Sequence, residues 1–371
     1  MVVGGARKLT ETNEAARRVL ITGGLGFIGT KVIERLRPND DIIVVDNLHP
    51  QVHLDRTAVD LLPPKVTFIE GDVTDFATMR AVASHKPTIV LHLAAETGTG
   101  QSLLESRRHA NVNVNGTATL LDAMSAESWV PERFVLTSSR AVYGEGKWTS
   151  SETGEAHYAE PRSGERLQNR LWNPTGPEGE ELDAPVANKI GDVDARPTNV
   201  YAATKLAQEN MAHAWCTSFG VPLSILRLQN VYGSGQAIKN PYTGVLTFMA
   251  RQALTGAPIN VYEDGGIVRD FVNVMDVADA IVASMSLTTG VSLRADVGSG
   301  AAVTLLEIAQ LLADLSDSRA PFTSAEFRLG DVRAAFADLT EAKKELDFTP
   351  SCSIEDGLEG LLSWVETEVA R

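Results

Sequence analysis

Near its N-terminus the chain runs Arg18-Val-Leu-Ile-Thr-Gly-Gly-Leu-Gly-Phe-Ile-Gly29. Its first five residues are mostly apolar and β-branched, which indicates a buried strand. Gly23, Gly26 and Gly29 follow at once, and a helix-forming segment that Pro38 stops comes next. Glycines between a strand and a helix allow a tight turn and a close approach of the backbone to a pyrophosphate. The stretch therefore predicts a dinucleotide-binding turn.

Short apolar runs suited to buried strands recur downstream, at 42–46, 66–69, 89–93, 134–138 and 223–228. Helical segments separate several of these runs, and the clearest helices are expected at 201–219 and 305–315. Continuous apolar strands alternating with helices are typical of a parallel sheet covered on both faces. The fold class is therefore predicted to be α/β: a Rossmann-type doubly wound parallel sheet with a smaller C-terminal α/β substrate-binding domain.

Composition along the chain suggests how these parts are divided. Residues 1–17 are expected to be a mobile tail, and 18–231 the dinucleotide-binding domain. Within it, 145–197 is rich in Glu, Gly, Pro and Asn, and reads as an irregular insertion, either a functional loop or a lid. Residues 232–371 are expected to form mainly the substrate domain, with a segment near 268–285 returning to the first domain.

The charge balance limits the possible partners. With 33 Lys and Arg against 48 Asp and Glu, the net charge is −15, which argues against binding to nucleic acid or to an anionic membrane. Two cysteines permit no dense disulfide framework and suggest no metal site. No apolar run approaches the roughly 18–20 residues of a membrane helix. We therefore expect a cytoplasmic protein without a metal.

Several strand ends are predicted to contact the cofactor. Asp46 ends the second strand, where a carboxylate can accept hydrogen bonds from the adenine ribose and would repel the extra phosphate of NADP. The next residue, Asn47, supplies no compensating charge, so NAD is favoured. The full set of expected cofactor contacts is Gly23, Gly26, Phe27, Ile28, Gly29, Asp46, Asn47, Asp72, Val73, Leu93, Ala94, Ala95, Tyr201 and Lys205.

The segment Tyr201-Ala-Ala-Thr-Lys205 places a phenol and an ammonium group on one helical face. A nearby cation favours the phenolate form, which suits a general base. By itself such a pair is more often a surface feature. The glycine turn upstream and Ser139, just past the fifth strand, make Ser139, Tyr201 and Lys205 the candidate catalytic set. Asn115 is a candidate support for the active-site loop.

This combination resembles the extended short-chain dehydrogenase/reductase family, in its nucleotide-sugar epimerase and dehydratase branch, over nearly the whole chain. The resemblance implies NAD-dependent hydride transfer at a sugar carbon, with Tyr201 as the base, Lys205 tuning it and Ser139 as hydrogen-bonding partner. The 4,6-dehydratases of this family carry Thr-Asp-Glu where this chain has Ser139-Arg140-Ala141. A dehydratase is therefore not expected.

Three segments, 46–53, 139–146 and 240–244, more closely resemble dTDP-L-rhamnose 4-epimerases and related deoxysugar enzymes. The leading expectation is an NAD-dependent 4-epimerase of a dTDP-6-deoxyhexose. A dTDP-4-keto-6-deoxyhexose 4-ketoreductase and a UDP-sugar 4-epimerase remain alternatives, and a non-catalytic sensor is disfavoured by the presence of Tyr201 and Lys205. The insertion lacks the Cys-Pro-x-Cys element of the rhamnose epimerases. Its Trp148 and Trp172 either line the sugar pocket or pin the insertion in place, and pinning is favoured.

The resemblance also implies substrate contacts and an assembly. An NDP-sugar, with dTDP favoured, would be held largely by arginines, whose planar fork suits phosphate oxygens. A homodimer is expected through helices near 103–124 and 201–219. The expected substrate contacts are Thr97, Gln101, Ser139, Arg140, Asn230, Arg269 and Arg328.

Overall fold

The computed structural model of the chain describes residues 16–53, 55–238 and 244–369. Residues 1–15 of the expected tail, and 240–243 of the segment that resembles the rhamnose epimerases, lie outside the described residues. The expected boundary of the tail at residue 17 is too late, because the Arg17 guanidinium forms an ion pair with Asp40 at 2.7 Å.

The strands of the described residues are β1 Arg18–Thr22, β2 Asp41–Asp46, β3 Val66–Glu70, β4 Ile89–His92, β5 Arg133–Ser139, β6 Lys147–Thr149, β7 Ala156–Tyr158, β8 Ala184–Pro185, β9 Leu223–Leu228, β10 Asn230–Tyr232, β11 Asn260–Val261, β12 Val268–Arg269, β13 Phe271–Asn273, β14 Leu293–Val297, β15 Val303–Thr304, β16 Phe322–Thr323 and β17 Ala334–Ala335.

The α-helices are α1 Phe27–Arg35, α2 Thr57–Asp60, α3 Phe76–Ala83, α4 Thr99–Leu104, α5 Ser106–His109, α6 Gly116–Ala126, α7 Gly164–Gln168, α8 Val200–Phe219, α9 Val245–Leu254, α10 Val274–Met285, α11 Leu305–Leu315, α12 Thr340–Leu346 and α13 Ile354–Val369. A π-helical turn at Ala110–Asn115 joins α5 to α6, and a 3₁₀ turn at Arg140–Tyr143 follows β5.

A seven-stranded sheet organises the molecule, in the order β14-β9-β5-β4-β1-β2-β3, with all of its pairs parallel. Apolar clusters cover both faces of this sheet, which explains the uninterrupted apolar character of its strands. The prediction of a Rossmann-type α/β fold is confirmed. The sheet also includes β14 as an edge strand. We expected only a segment near 268–285 to return to this part of the molecule, and β14 lies beyond that segment in the sequence.

A third apolar cluster forms the core of a smaller C-terminal unit. It joins α9, α11 and α13 with the short strands β11 and β13. None of the helices in the described part of the chain has the length and apolar character that crossing a bilayer requires.

The insertion at 145–197 differs from the irregular loop or lid that we expected. It contains an antiparallel sheet in the order β7-β6-β8 and the helix α7. Trp148 on β6 is 2% exposed, packs against Leu182 and Ala334, and donates its indole N–H to the Glu145 carbonyl at 2.8 Å. This tryptophan therefore pins the insertion, as predicted, and the periodicity was hidden because the strands are only two or three residues long.

Candidate active site

A cavity of about 880 Å³ opens where the main sheet meets the C-terminal unit. Asp46 at the end of β2 and Ser139 at the end of β5 line it from the sheet side, while Arg269 and Arg328 line it from the other side. Carboxyl ends of parallel strands are the usual location of ligands in such folds. Both units therefore contribute walls to the cavity.

The glycine turn between β1 and α1 forms one end of this cavity. Gly23 has a φ of +68°, and a Cβ on it would lie 2.8 Å from the Ala94 Cα. A Cβ on Gly29 would lie 2.5 Å from the Gly24 carbonyl oxygen, so that α1 could not pack closely on the turn. Gly26 is the N-cap of α1 and offers no side chain to its first amides. These amides are left free for an anionic group, as the motif requires.

The Asp46 carboxylate is fixed before any ligand arrives. It accepts hydrogen bonds from the Leu25 amide at 3.1 Å and from the Leu48 amide at 3.0 Å. Asp46 is 8% exposed and lines the cavity, and the His53 Nε2 lies 3.5 Å from its Oδ1. A fixed carboxylate at this position is suited to bind vicinal hydroxyl groups and to disfavour a phosphate.

Ser139 and Tyr201 meet across the cavity floor. The Asn199 side chain caps α8 by accepting from the Ala202 amide at 2.9 Å, which sets Tyr201 in the first turn of the helix. Burial raises the pKa of Tyr201 above its ordinary value, while a hydrogen bond with Ser139 and the charge of Arg140 lower it. Burial is the largest of these effects, so the pKa of Tyr201 is raised overall in the protein without a ligand.

Lys205 lies one helical turn behind Tyr201, and its side chain is buried. Burial lowers the pKa of Lys205 to about 8, against the opposing effect of Glu209. Glu209 is itself bound by both Arg227 nitrogens, at 2.8 and 2.9 Å, and by the Ser138 hydroxyl at 2.5 Å. A fixed anion thus lies behind the lysine.

A buried polar network connects α8 to the strand ends, and the sequence reasoning missed it. The His92 ring lies between the Thr22 hydroxyl at 2.7 Å and the Thr117 hydroxyl at 3.0 Å, and the Gln208 amide donates to Thr117 at 2.8 Å. Burial and the charge of Lys205 lower the pKa of His92 to about 3, so the ring is neutral. A histidine inside an apolar strand was the available signal, since such a residue needs partners when buried.

The loop after β4 is held by Asn113, not by Asn115 as we expected. Asn113 accepts from the Glu96 amide at 2.7 Å, and donates to the Glu96 carbonyl at 3.0 Å and to the Thr204 hydroxyl at 2.9 Å. The Asn115 side chain instead donates to Asn111 at 3.2 Å. Both residues lie in the π-helical turn, and the geometry of this turn determines which asparagine faces the loop. The sequence does not reveal such a turn.

The C-terminal unit brings cationic and polar groups to the cavity. The Arg269 guanidinium donates to Asp331 at 2.7 Å and to the Val332 carbonyl at 2.9 Å. Arg328 is exposed and lies over the Tyr262 ring. The Asn230 Oδ1 is buried without a hydrogen-bond partner among the described residues. This part of the cavity is suited to an anion with further polar groups.

Most of the predicted site residues line this cavity, but three do not. Lys205 lies beneath it, as described above. The Asp72 carboxylate accepts from Thr74 at 2.8 Å and from the Asn47 amide at 2.8 Å, so it holds Asn47 and does not face the cavity. Gln101 is 2% exposed and donates to Glu105 at 3.0 Å. The lining members are Gly23, Gly26, Phe27, Ile28, Gly29, Asp46, Asn47, Val73, Leu93, Ala94, Ala95, Thr97, Ser139, Arg140, Tyr201, Asn230, Arg269 and Arg328.

The insertion supports this site from behind, and no described residue of 145–197 lines the cavity. Arg162 of the insertion pairs with Glu145 at 3.0 Å and with Glu263 at 2.8 Å, all three being nearly inaccessible to solvent. Its guanidinium also donates to the Asp331 carbonyl at 2.9 Å. Because Asp331 holds Arg269, the insertion braces the cationic side of the cavity.

Comparisons with known proteins agree with this geometry. The sequence profile of the NAD dependent epimerase/dehydratase family matches residues 19–164 and 176–292. The chain is 42% identical to a dTDP-L-rhamnose 4-epimerase of Burkholderia thailandensis, over 96% of each chain. The crystal structure of a Thermotoga maritima UDP-glucose 4-epimerase with UDP-glucose matches with a TM-score of 0.77 and 26% identity, over 95% of this chain and 99% of that one. A Thermus thermophilus UDP-glucose 4-epimerase in complex with NAD matches with a TM-score of 0.74 and 25% identity, over 94% and 99%.

Proposed function

The chain belongs to the NAD dependent epimerase/dehydratase family, and from that premise we propose that it is an NAD-dependent 4-epimerase of a dTDP-6-deoxyhexose. The single observation that carries the sugar assignment is the 42% identity with the dTDP-L-rhamnose 4-epimerase over nearly the full length of both chains. The cavity supports it, since Ser139, Tyr201 and the glycine turn all line it.

The residues of the glycine turn and Asp46 fit NAD, because the turn has no room for side chains and the carboxylate is fixed by two amides. When bound, NAD would accept the hydride from the sugar C4 and return it to the opposite face. Tyr201 as phenolate would remove the C4 hydroxyl proton, and Ser139 would hydrogen-bond the same oxygen. Lys205 would favour the phenolate and bind a ribose hydroxyl, while Asp72 would hold Asn47 against the cofactor.

Arg269 and Arg328 are proposed to hold the diphosphate of the substrate, and Asn230 to hydrogen-bond a phosphate or a sugar hydroxyl group. Arg269 is pre-positioned by Asp331, whereas Arg328 is exposed and free to close on a ligand. Thr97 would face the sugar from the loop after β4, and Gln101 would support that loop from inside the protein. The buried Asn230 oxygen without a partner would accept a hydrogen bond from the ligand.

The residues of the site favour an epimerase over a dehydratase or a 4-ketoreductase. Arg140 and Ala141 stand where the 4,6-dehydratases of the family carry two carboxyl residues for the elimination of water, which argues against a dehydratase. A 4-ketoreductase would use the same catalytic residues and remains the second candidate. Asp46 favours the epimerase, because a reductase that exchanges NADPH at each turnover would be hindered by a fixed carboxylate near the adenine ribose.

The proposed function is tested by incubating the purified protein with dTDP-L-rhamnose, without added cofactor, and following the sugar protons by NMR. We expect inversion at C4, because each catalytic cycle restores the NAD that the protein retains. An unchanged sugar spectrum would contradict the assignment for this substrate. The ketoreductase would then be tested on a dTDP-4-keto-6-deoxyhexose with NADH and with NADPH.

Asp46→Asn should weaken NAD binding about tenfold and narrow the preference for NAD over NADP, since a charged acceptor is worth roughly 1.5 kcal/mol more than a neutral one. The measurement is the dissociation constant of each cofactor from the cofactor-stripped protein. Asp41→Asn, at the exposed start of the same strand, serves as the control and should change neither constant. An unaltered NAD to NADP ratio in Asp46→Asn would rule out the assigned role.

We further propose that the enzyme is a cytoplasmic homodimer. Its cysteines are unpaired, as expected in a reducing compartment. Leu104 on α4 is 83% exposed and Phe219 at the end of α8 is 50% exposed, so the expected dimer helices carry apolar side chains that a partner would cover.

A further inference from the structure

Two segments at the carboxyl edge of the main sheet are joined by side chains near the glycine turn. The loop 47–53 follows β2, and the segment 96–109, which contains α4 and α5, follows β4. The strand order β4-β1-β2 places the end of β1, and hence the glycine turn, between them. Because neighbouring strands lie about 4.8 Å apart, the ends of β2 and β4 are separated by roughly 10 Å. A bond between the two segments therefore has to pass the end of β1, where the glycine turn begins.

The connection consists of a pair of glutamines and an arginine. The Gln51 amide donates to the Gln101 oxygen at 2.9 Å, and the Gln101 amide donates back to the Gln51 oxygen at 3.1 Å. The Arg108 guanidinium donates to the same Gln51 oxygen at 3.0 Å. Gln51, Gln101 and Arg108 form what we call the inter-loop bridge. In it the donor of each amide meets the acceptor of the other, which fixes the orientation of both side chains.

The loop 47–53 is bonded within itself and presents Gln51 to the bridge. The Asn47 Oδ1 accepts from the His49 amide at 3.1 Å, and the His49 Nδ1 accepts from the Gln51 amide at 3.2 Å. The Asp46 carboxylate begins this chain of bonds by accepting from the Leu48 amide at 3.0 Å. The bridge is therefore connected to the carboxylate that we expect at the adenine ribose.

The charge of Arg108 is already neutralised by its own segment. Its guanidinium forms ion pairs with Glu96 at 2.7 Å and with Glu105 at 2.9 Å. The Gln101 amide also donates to Glu105 at 3.0 Å, so the same acid supports both bridge residues of this segment. An arginine that binds two carboxylates has few donors left for a pyrophosphate. The contacts of Arg108 thus fit a bridging role better than that of a phosphate ligand.

The inter-loop bridge borders the space that the cofactor would occupy. Gln51 and Arg108 line the same cavity as Gly23 and Gly26. Gln101 is 2% exposed, so one half of the amide pair lies inside the protein. Opening the bridge would leave this buried amide without its partner, which is unfavourable, and the closed arrangement is therefore preferred.

We propose that the inter-loop bridge holds the two segments closed over the cofactor, so that NAD is retained from one catalytic cycle to the next. The inference deepens the proposed function and rests on it, because an epimerase restores its NAD in each cycle and has no need to release it. The three residues act on the loops and not on the reacting atoms, so they are positioning residues. Since their bonds join protein groups only, the bonds must break both for NAD to leave and for NAD to enter.

The test measures both rates of NAD exchange in Gln51→Ala, which removes no charge and lies in a loop, so the variant should fold. Release is followed from the full-length protein loaded with isotopically labelled NAD and chased with excess unlabelled NAD. Entry is followed by stopped-flow mixing of NAD with the cofactor-stripped protein. We expect both rates to rise about tenfold, the factor typical for the loss of a few neutral hydrogen bonds, so that the dissociation constant changes less than either rate.

Two results would overturn the proposal. An unchanged release rate in Gln51→Ala would show that the bridge does not retain the cofactor. Faster release with an unchanged rate of entry would show that Gln51 binds NAD directly instead of closing the loops over it.

A double-mutant cycle tests whether the two amides act as one unit. With Gln101→Ala as the second change, the double variant should release NAD no faster than the faster of the two single variants. Effects that multiply would show that the glutamines act separately, and there would be no bridge. Gln310→Ala is the control, because its amide donates to Asp314 within α11 at 2.8 Å, and it should leave both rates at their wild-type values.

Kinetics give a readout that a purely structural role would not move. The activity of Gln51→Ala without added NAD should fall on dilution, and saturating NAD should restore the wild-type kcat. A kcat that stays low at saturating NAD would place Gln51 in the chemical step and contradict the proposal. NAD exchange needs no sugar, so failure of the wild-type protein to invert dTDP-L-rhamnose would remove the proposed function and leave the exchange result standing. Unchanged exchange in a Gln51→Ala enzyme that inverts the sugar would remove only the bridge.

Discussion

Replacing Tyr201 with phenylalanine should lower the rate of C4 inversion by about 10³-fold while NAD remains bound, because the change deletes one hydroxyl and leaves the cofactor turn intact. In this variant the aromatic ring at position 201 would still line the cavity, and Asn199 would still cap α8. The measurement is the NMR rate of inversion, together with the NAD released from the denatured protein.

Tyr158→Phe is the matched control for this change. Tyr158 lies on β7 in the insertion, where its hydroxyl accepts from the Asp194 amide at 2.9 Å, and it does not line the cavity. We expect it to retain near wild-type activity. Inversion in Tyr201→Phe at more than about a tenth of the wild-type rate would mean that another group removes the proton.

Arg162→Met should reduce the free energy of unfolding by about 3–5 kcal/mol, because it leaves Glu145 and Glu263 buried with one cation fewer. Arg333 would still bind Glu263 at 2.9 Å, so the cluster would be weakened and not abolished. Loss of the bond to the Asp331 carbonyl should also loosen Arg269, which we expect to raise KM for the nucleotide sugar. Urea unfolding and steady-state kinetics measure the two effects.

Arg18→Met offers the control for the loss of an ion pair. Arg18 and Asp41 form an exposed pair at 2.6 Å, and such pairs contribute at most about 1 kcal/mol. A stability loss in Arg162→Met no larger than that of Arg18→Met would show that the insertion is not held by its buried charges. Its packing around Trp148 would then have to hold it.

Local signals in the sequence were sufficient to predict the parallel sheet and the cofactor-binding turn. Apolar runs near β1, β2, β4 and β5 are typical of strands buried on both faces of a parallel sheet, and their short length and β-branched residues favour strands over helices. The glycine spacing before α1 is also a local signal, although only the Gly29 contact with Gly24 lies inside the turn and the close approach at Gly23 is to Ala94 after β4. The family resemblance, carried by Ser139, Tyr201 and Lys205, then identified the reaction class that the comparisons support.

Contacts between residues distant in sequence determined the other features of the site and the structure of the insertion. Asp72 and Gln101 follow strands and were therefore candidates for ligand contacts. In the structure their side chains are hydrogen-bonded to other residues instead: Asp72 to Asn47 and Thr74, and Gln101 to Gln51. The strands of the insertion could not be predicted because they pair with strands up to 37 positions away in the sequence, as Trp148 does with Pro185. The selection of Asn113 over Asn115 depends on a π-helical turn that has no sequence signature.

The sheet, the cofactor turn and the residue types of the catalytic set could therefore be predicted from the residues alone, because these depend on periodicity and on close spacing. Which charges are neutralised, in contrast, depends on contacts between distant segments. Arg162 and Arg269 are bound by acids from other segments, whereas Arg140 has none among the described residues. The physical reason is that the electrostatic state of a buried group depends on its neighbours in space, and those neighbours come from β5, the insertion and the C-terminal unit together.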